Sequence, residues 1–131
     1  MKKILFVCVE NSCRSQMAEG FANELGKGVI EAYSAGSEPS GVVNPKAIAS
    51  MKEIGIDISS HKSKGLDAVP AAECDMIVTM GCGADTPSLP AKMRFDWDLP
   101  NPKDMPREEF NQVRDDIRRR VLSLLRDLKD K

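Results

Sequence analysis

Cys8, Arg14 and Ser15 stand in a C-x5-R-S arrangement near the start of the chain. A thiolate is a nucleophile, and a guanidinium is a planar two-pronged donor matched to a tetrahedral oxyanion. A serine hydroxyl at this spacing can donate a hydrogen bond to the sulfur. The backbone N–H groups of a short loop entering a helix N-terminus converge on one point, where the helix dipole also favours an anion. Val9, Glu10, Asn11, Ser12 and Cys13 would supply that loop, and Arg14 would complete the cradle. Cys8 at its base would lie in the same positive field, which favours thiolate over thiol. The chemistry is nucleophilic attack from beneath a bound phosphate-like anion. A C-x5-R spacing also arises by chance, with the cysteine merely ending a core strand, so its surroundings decide.

Those surroundings are a buried strand, a tight loop and an amphipathic helix. The apolar run Ile4-Leu5-Phe6-Val7 stops at Cys8, and beyond the loop Met17, Ala18, Phe21, Ala22 and Leu25 recur at helical spacing. Val29 to Ser34 reads as a second strand, ended by Ala35-Gly36. Asn44-Pro45 predicts an N-cap followed by proline at the first helical position. Ala47, Ile48, Met51 and Ile54 make that helix's buried face, and Gly55 stops it. Ser59 to Gly65 is polar and irregular, and Pro70 limits Leu66 to Cys74 to a short helix at most.

Met76 to Met80 is the third strand, followed by Gly81-Cys82-Gly83 and a loop to Pro90 that is expected to move. Met93 to Trp97 is a short fourth strand, and Asp98 to Pro106 a proline-rich loop. In the last helix Phe110, Val113, Ile117, Val121, Leu124, Leu125 and Leu128 form one apolar stripe, with Arg118 to Arg120 on a solvated face.

Strands alternating with helices predict an α/β fold, a single domain over residues 1–131 with a four-stranded parallel sheet flanked by helices. In the order 2-1-3-4, strands 1 and 3 are neighbours and a ligand sits at the carboxyl edge between them. Cys8 follows strand 1 and Cys82 follows strand 3. Two cysteines distant in sequence thus share one edge.

Composition narrows the function classes. A net charge of −1 offers no basic footprint for nucleic acid. Lys2-Lys3 precedes an apolar run too short for a signal peptide, and nothing approaches a membrane span. The four cysteines, Cys8, Cys13, Cys74 and Cys82, show no paired C-x2-C spacing, and with one histidine no metal site is expected. A cytoplasmic protein with catalytic or spare thiols fits better than a secreted disulfide scaffold.

The stretch Cys8-Val-Glu-Asn-Ser-Cys-Arg-Ser-Gln-Met-Ala-Glu19 resembles the low-molecular-weight tyrosine phosphatase fold and, within it, the thiol-coupled arsenate reductases. The phosphatases usually carry proline where Gln16 stands. Tyr33-Ser34-Ala35-Gly36, Val43 to Ala47, Gly55 to Ser59 and Phe110 to Ile117 extend the likeness over nearly the whole chain.

The resemblance implies that Cys8 attacks arsenate and that Cys82 then attacks the arsenylated sulfur. Arsenite leaves with the electron pair, and a redox-active Cys8–Cys82 disulfide remains. It further implies a cytoplasmic monomer that serves arsenic resistance and detoxification without a cofactor. Phosphate or sulfate would act as substrate analogues, and thioredoxin, glutaredoxin or a low-molecular-weight thiol as reductant. Cys13, Cys74 and the sole histidine, His61, are read as structural.

The chain departs from the family pattern in three places. No third cysteine occurs from Gly83 to Lys92. Asn101 precedes Pro102 where the family has a general-acid aspartate, which leaves Asp96 or Asp98 as substitute acids. Some members bind potassium through Asn, Glu, Ser and Asp; Asn11, Glu19 and Ser34 match, but Lys64 stands at the aspartate position. A low-molecular-weight protein tyrosine phosphatase is the alternative enzyme, and a non-catalytic oxyanion or redox sensor the alternative outside catalysis.

Overall fold

The computed structural model describes residues 1–80 and 93–129. Cys82, the glycines beside it and the loop to Pro90 lie outside the described residues. Four parallel strands, β1 (Lys2–Cys8), β2 (Ile30–Gly36), β3 (Met76–Thr79) and β4 (Met93–Asp96), form one sheet in the order β2-β1-β3-β4. Three helices accompany them: α1 (Arg14–Leu25), α2 (Pro45–Lys52) and α3 (Arg107–Lys129). Leu66 to Glu73 holds only two single 3₁₀ turns, one on each side of Pro70.

Side chains alternate across the pleat of β1, so the central strand is buried on both faces. Ile4, Phe6 and Cys8 enter the larger core with Met17 and Phe21 of α1, Met51 of α2 and Ile117 of α3. Leu5 and Val7 face the other way, where Ala35, Cys74 and Ile77 pack with Tyr33, Leu66 and Val69. Trp97, just beyond β4, lies against Phe6 with ring centroids 5.8 Å apart, and the Arg120 guanidinium covers it at 6.0 Å. The apolar stripe of α3 is buried from Phe110 through Leu125, as its periodicity predicts.

The Asn44-Pro45 signal is realised: Asn44 Oδ1 accepts from the Lys46 N–H at 2.9 Å, with proline inside the first turn. Ile54 is a correction to the expected buried face. The helix stops at Lys52, and Gly55 adopts φ 84° in the turn that follows, so Ile54 leaves the helical stripe and is 39% exposed. Among the described residues no helix is long and apolar enough to cross a membrane.

The register brings Cys8 level with Gly36 and Val7 level with Thr79 at the carboxyl edge of the sheet. A Cβ at Gly36 would sit 2.5 Å from the Val9 carbonyl oxygen and 3.0 Å from the Asn11 N. Glycine there lets the loop after β1 seat directly on the end of β2.

Candidate active site

Residues 8–13 form a loop whose carbonyl groups are all engaged by hydrogen-bond donors. The Cys8 carbonyl accepts from Ser37 N, Val9 from Glu38 N, and Glu10 from Ser40 N and Ser63 Oγ. The Asn11 carbonyl accepts from Gln16 Nε2 at 3.3 Å, Ser12 from Asn44 N, and Cys13 from Met17 N within α1. A trans peptide points its C=O and the next N–H in opposite directions, and the chain contains no cis peptide among the described residues. With the carbonyls of Cys8 to Ser12 tied to surrounding segments, the N–H groups of Val9, Glu10, Asn11, Ser12 and Cys13 turn toward the loop's interior. Successive inward N–H groups make a concave anion nest. Helix α1 begins at Arg14, and its first turn carries no acidic residue to cancel the helix dipole.

Asn11 is the one described non-glycine residue with positive φ, at 52°. Asparagine tolerates this left-handed conformation better than most residues because its short polar side chain bonds locally. Its Oδ1 accepts from Lys64 N and from Gln16 Nε2, each at 2.9 Å. Its Nδ2 donates to Ser15 Oγ at 2.7 Å. Ser15 Oγ lies 2.8 Å from Cys8 Sγ, and both groups are buried. Because Ser15 Oγ already accepts from Asn11, its own hydrogen is free to point at the sulfur.

Arg14 is buried, with Nη1 donating to the Leu99 carbonyl at 3.1 Å. That bond joins the anion loop to the segment after β4, which also carries Asn101. Asn101 is exposed, and its Oδ1 accepts from Lys103 N at 3.1 Å. Lys103 in turn reaches back to the Glu10 carboxylate at 3.4 Å. Of the substitute acids, Asp98 is exposed, while Asp96 accepts from Thr79 Oγ1 at 2.8 Å. The structure thus places Cys8, the loop from Val9 to Cys13, Arg14 and Ser15 on one strand–loop–helix turn, and connects the Asn101 segment to it through Arg14 and Leu99.

Behind the loop lies a polar cluster that sequence reasoning caught only in part. The buried Glu19 carboxylate accepts from Ser34 Oγ at 2.9 Å, faces Lys64 Nζ at 3.7 Å, and meets His61 Nδ1 at 3.1 Å. His61 Nδ1 also lies 3.0 Å from Gln16 Oε1. The expected structural role of His61 and the expected nearness of Lys64 to Glu19 match this arrangement. Gln16 was missed as a contributor. Its spacing of three from Glu19 put both polar side chains on one face of the helix and was the available signal.

Cys13 shares the larger core with Cys8, whereas Cys74 lies on the opposite face of the sheet. Burial pushes the Cys13 thiol up, against the lowering effect of the Ser12 hydroxyl. Burial likewise pushes up Cys74, whose Sγ donates to the Pro70 carbonyl at 3.4 Å on the opposite sheet face. Among the described residues no group of three His, Cys, Asp or Glu side chains forms a metal-binding cluster.

A cysteine at the base of a loop whose carbonyls are tied outward, at the edge of a β2-β1-β3-β4 parallel sheet, is the arrangement that the comparisons with known proteins meet. The chain belongs to the family described as low molecular weight phosphotyrosine protein phosphatase, which it matches over residues 3–131. Within that family its similarities run to arsenate reductases. It is 48% identical over 120 residues to an arsenate reductase of Staphylococcus aureus, covering 89% of this chain and 91% of that protein. It is 44% identical over 128 residues to a glutaredoxin arsenate reductase of Synechocystis sp., covering 95% and 97% of the two chains. A solved structure described as an arsenate reductase in the phosphate binding state superposes with TM-score 0.91 at 43% identity, covering 98% of this chain and 99% of that one.

Proposed function

We propose that the protein is a thiol-dependent arsenate reductase. The observation that carries this reading is the loop in which the carbonyls of Cys8 to Ser12 are tied away and Ser15 Oγ lies 2.8 Å from Cys8 Sγ. Arsenate binds to the inward N–H groups of Val9 to Cys13 and to Arg14. The Cys8 thiolate attacks arsenic, and an oxygen departs as water, leaving an arsenylated cysteine. The Cys82 thiolate then attacks the Cys8 sulfur. A sulfur–sulfur bond forms, the sulfur–arsenic bond breaks, and its electron pair stays on arsenic. Arsenic(V) becomes arsenic(III), arsenite leaves, and the two thiolates, having given two electrons to arsenic, are joined as the disulfide.

With no third cysteine from Gly83 to Lys92, thioredoxin or glutaredoxin attacks the Cys8–Cys82 disulfide itself. The name of the Synechocystis relative supports a glutaredoxin route. A reducing cytoplasm suits this cycle, and nothing in the chemistry needs more than one chain. No organic cofactor is required, since the thiols carry both electrons.

Phosphate esters bind to the same nest but cannot be reduced, because phosphorus does not accept the electron pair. Their hydrolysis depends on an acid for the leaving oxygen, and Asn101 stands where the family places that acid. The test is steady-state arsenite production from arsenate with thioredoxin, glutaredoxin plus glutathione, or mycothiol as reductant. Sustained turnover with the first or second, alongside weak aryl phosphate hydrolysis, is the expected result. Efficient ester hydrolysis with no arsenite under any reductant would make the protein a phosphatase instead.

A further inference from the structure

Gln16 is wholly buried, yet all of its polar atoms are engaged between two parts of the site. Its Oε1 faces His61 Nδ1 at 3.0 Å, and its Nε2 faces Asn11 Oδ1 at 2.9 Å, Lys62 O at 3.0 Å and Asn11 O at 3.3 Å. These contacts admit one orientation of the amide. Lys62 O and Asn11 O only accept, so the nitrogen must face them. His61 Nδ1 lies between Gln16 Oε1 and a Glu19 carboxylate oxygen, so that ring nitrogen carries a hydrogen and donates.

The consequence runs forward to the sulfur. Gln16 and the Lys64 N–H together hold Asn11 Oδ1, which turns Asn11 Nδ2 onto Ser15 Oγ. Ser15 thereby accepts from Asn11 and can give its only hydrogen to Cys8 Sγ. Gln16 also holds the Asn11 carbonyl, at the one residue of the loop with positive φ, and so turns the Ser12 N–H inward. We infer that Gln16 is a positioning residue that holds Cys8 in its nucleophilic state by orienting Asn11 and, through it, the Ser15 hydroxyl. This rests on the proposed role of Cys8 and reaches beyond it by naming the amide that arms it.

The test reads Cys8 directly, whatever anion it attacks. Iodoacetamide alkylation of Cys8 is followed by peptide mass spectrometry at neutral pH, together with the ultraviolet thiolate absorbance. Gln16→Met keeps the side chain's volume and removes both polar ends. It should slow Cys8 alkylation about tenfold and reduce the thiolate absorbance, the effect of weakening one hydrogen bond to an anion.

In a Ser15→Ala background the same substitution should add little, because the relay is already cut there. Gln16→Glu keeps the shape but sets an acceptor against Asn11 Oδ1; it should slow alkylation likewise, and it serves if Gln16→Met does not fold. An unchanged alkylation rate in a folded variant, or an equal slowing with and without Ser15, would overturn the inference. Loss of arsenate turnover alone bears on the proposed function; loss of Cys8 reactivity bears on Gln16.

Discussion

Arg14 Nη1 donates to the Leu99 carbonyl at 3.1 Å, so the guanidinium proposed to bind arsenate also anchors the segment that carries Asn101. A guanidinium has five N–H donors in a fixed plane, enough to hold the carbonyl and still offer a forked pair to an oxyanion. Arg14→Lys supplies the charge but not the fork. The expected result is a fall in kcat/KM for arsenate of at least roughly a hundredfold, the scale of losing an oxyanion donor. Phosphate should also protect Cys8 less well from alkylation. Arsenate kinetics unchanged in the lysine variant would remove Arg14 from substrate binding.

Lys64 Nζ lies 3.7 Å from the Glu19 carboxylate, whose other oxygen meets His61 and whose first oxygen also accepts from Ser34. A tethered ammonium already faces this buried carboxylate, and a second cation beside it would be repelled. Activity and Tm should therefore be the same in potassium and in sodium salts at equal ionic strength. A potassium-specific rise in Tm would contradict the assignment of Lys64 to that charge.

Tyr33 is the only tyrosine, so alkaline phenolate absorbance reports it alone. Its hydroxyl donates to Glu31 Oε2 at 2.8 Å, and that hydrogen bond, with some burial and the carboxylate's charge, pushes its pKa up to about 12. The folded state holds this proton more tightly than the unfolded chain. Its contribution to stability is therefore present below about pH 10 and is lost as pH rises from there through about 12. Glu31→Gln should bring the spectroscopic midpoint back toward 10. A midpoint near 10 in the unsubstituted protein would show that the pair does not form.

The fold was legible wherever burial imposes a period. The helix after Cys8 and the stripe from Phe110 to Leu128 repeat at helical spacing, while the β1 run is continuously apolar because both its faces are buried. The Asn44-Pro45 signal worked because capping is local chemistry. Ile54 misled because it continues the α2 spacing after the backbone has left the helix. In the site, the C-x5-R-S spacing located the loop, but its supports come from elsewhere. Leu99 on Arg14, Lys103 on Glu10, and the Gln16–His61 contact join residues 45 to 93 positions apart, and no periodicity connects such loops.

Asn101 accepts from Lys103 N through Oδ1, a bond that aspartate can keep. An amide cannot give up a proton usefully near neutral pH, whereas a carboxylic acid can. Asn101→Asp should raise aryl phosphate hydrolysis by about 10²-fold, at the lower end for general acid catalysis, and change arsenate reduction much less. If it raises neither, and Asp98→Asn abolishes both, the proton comes from Asp98 instead.

The central claim is that Cys8 and Cys82 together deliver two electrons to arsenic. The direct measurement is a single turnover: fully reduced protein is mixed with excess arsenate and no external reductant, arsenite is counted, and disulfides are mapped by peptide mass spectrometry. One arsenite per chain with one Cys8–Cys82 disulfide is the predicted result, and Cys8→Ser and Cys82→Ser should each abolish the burst. Arsenite formed without that disulfide, or an undiminished burst in Cys82→Ser, would contradict the account.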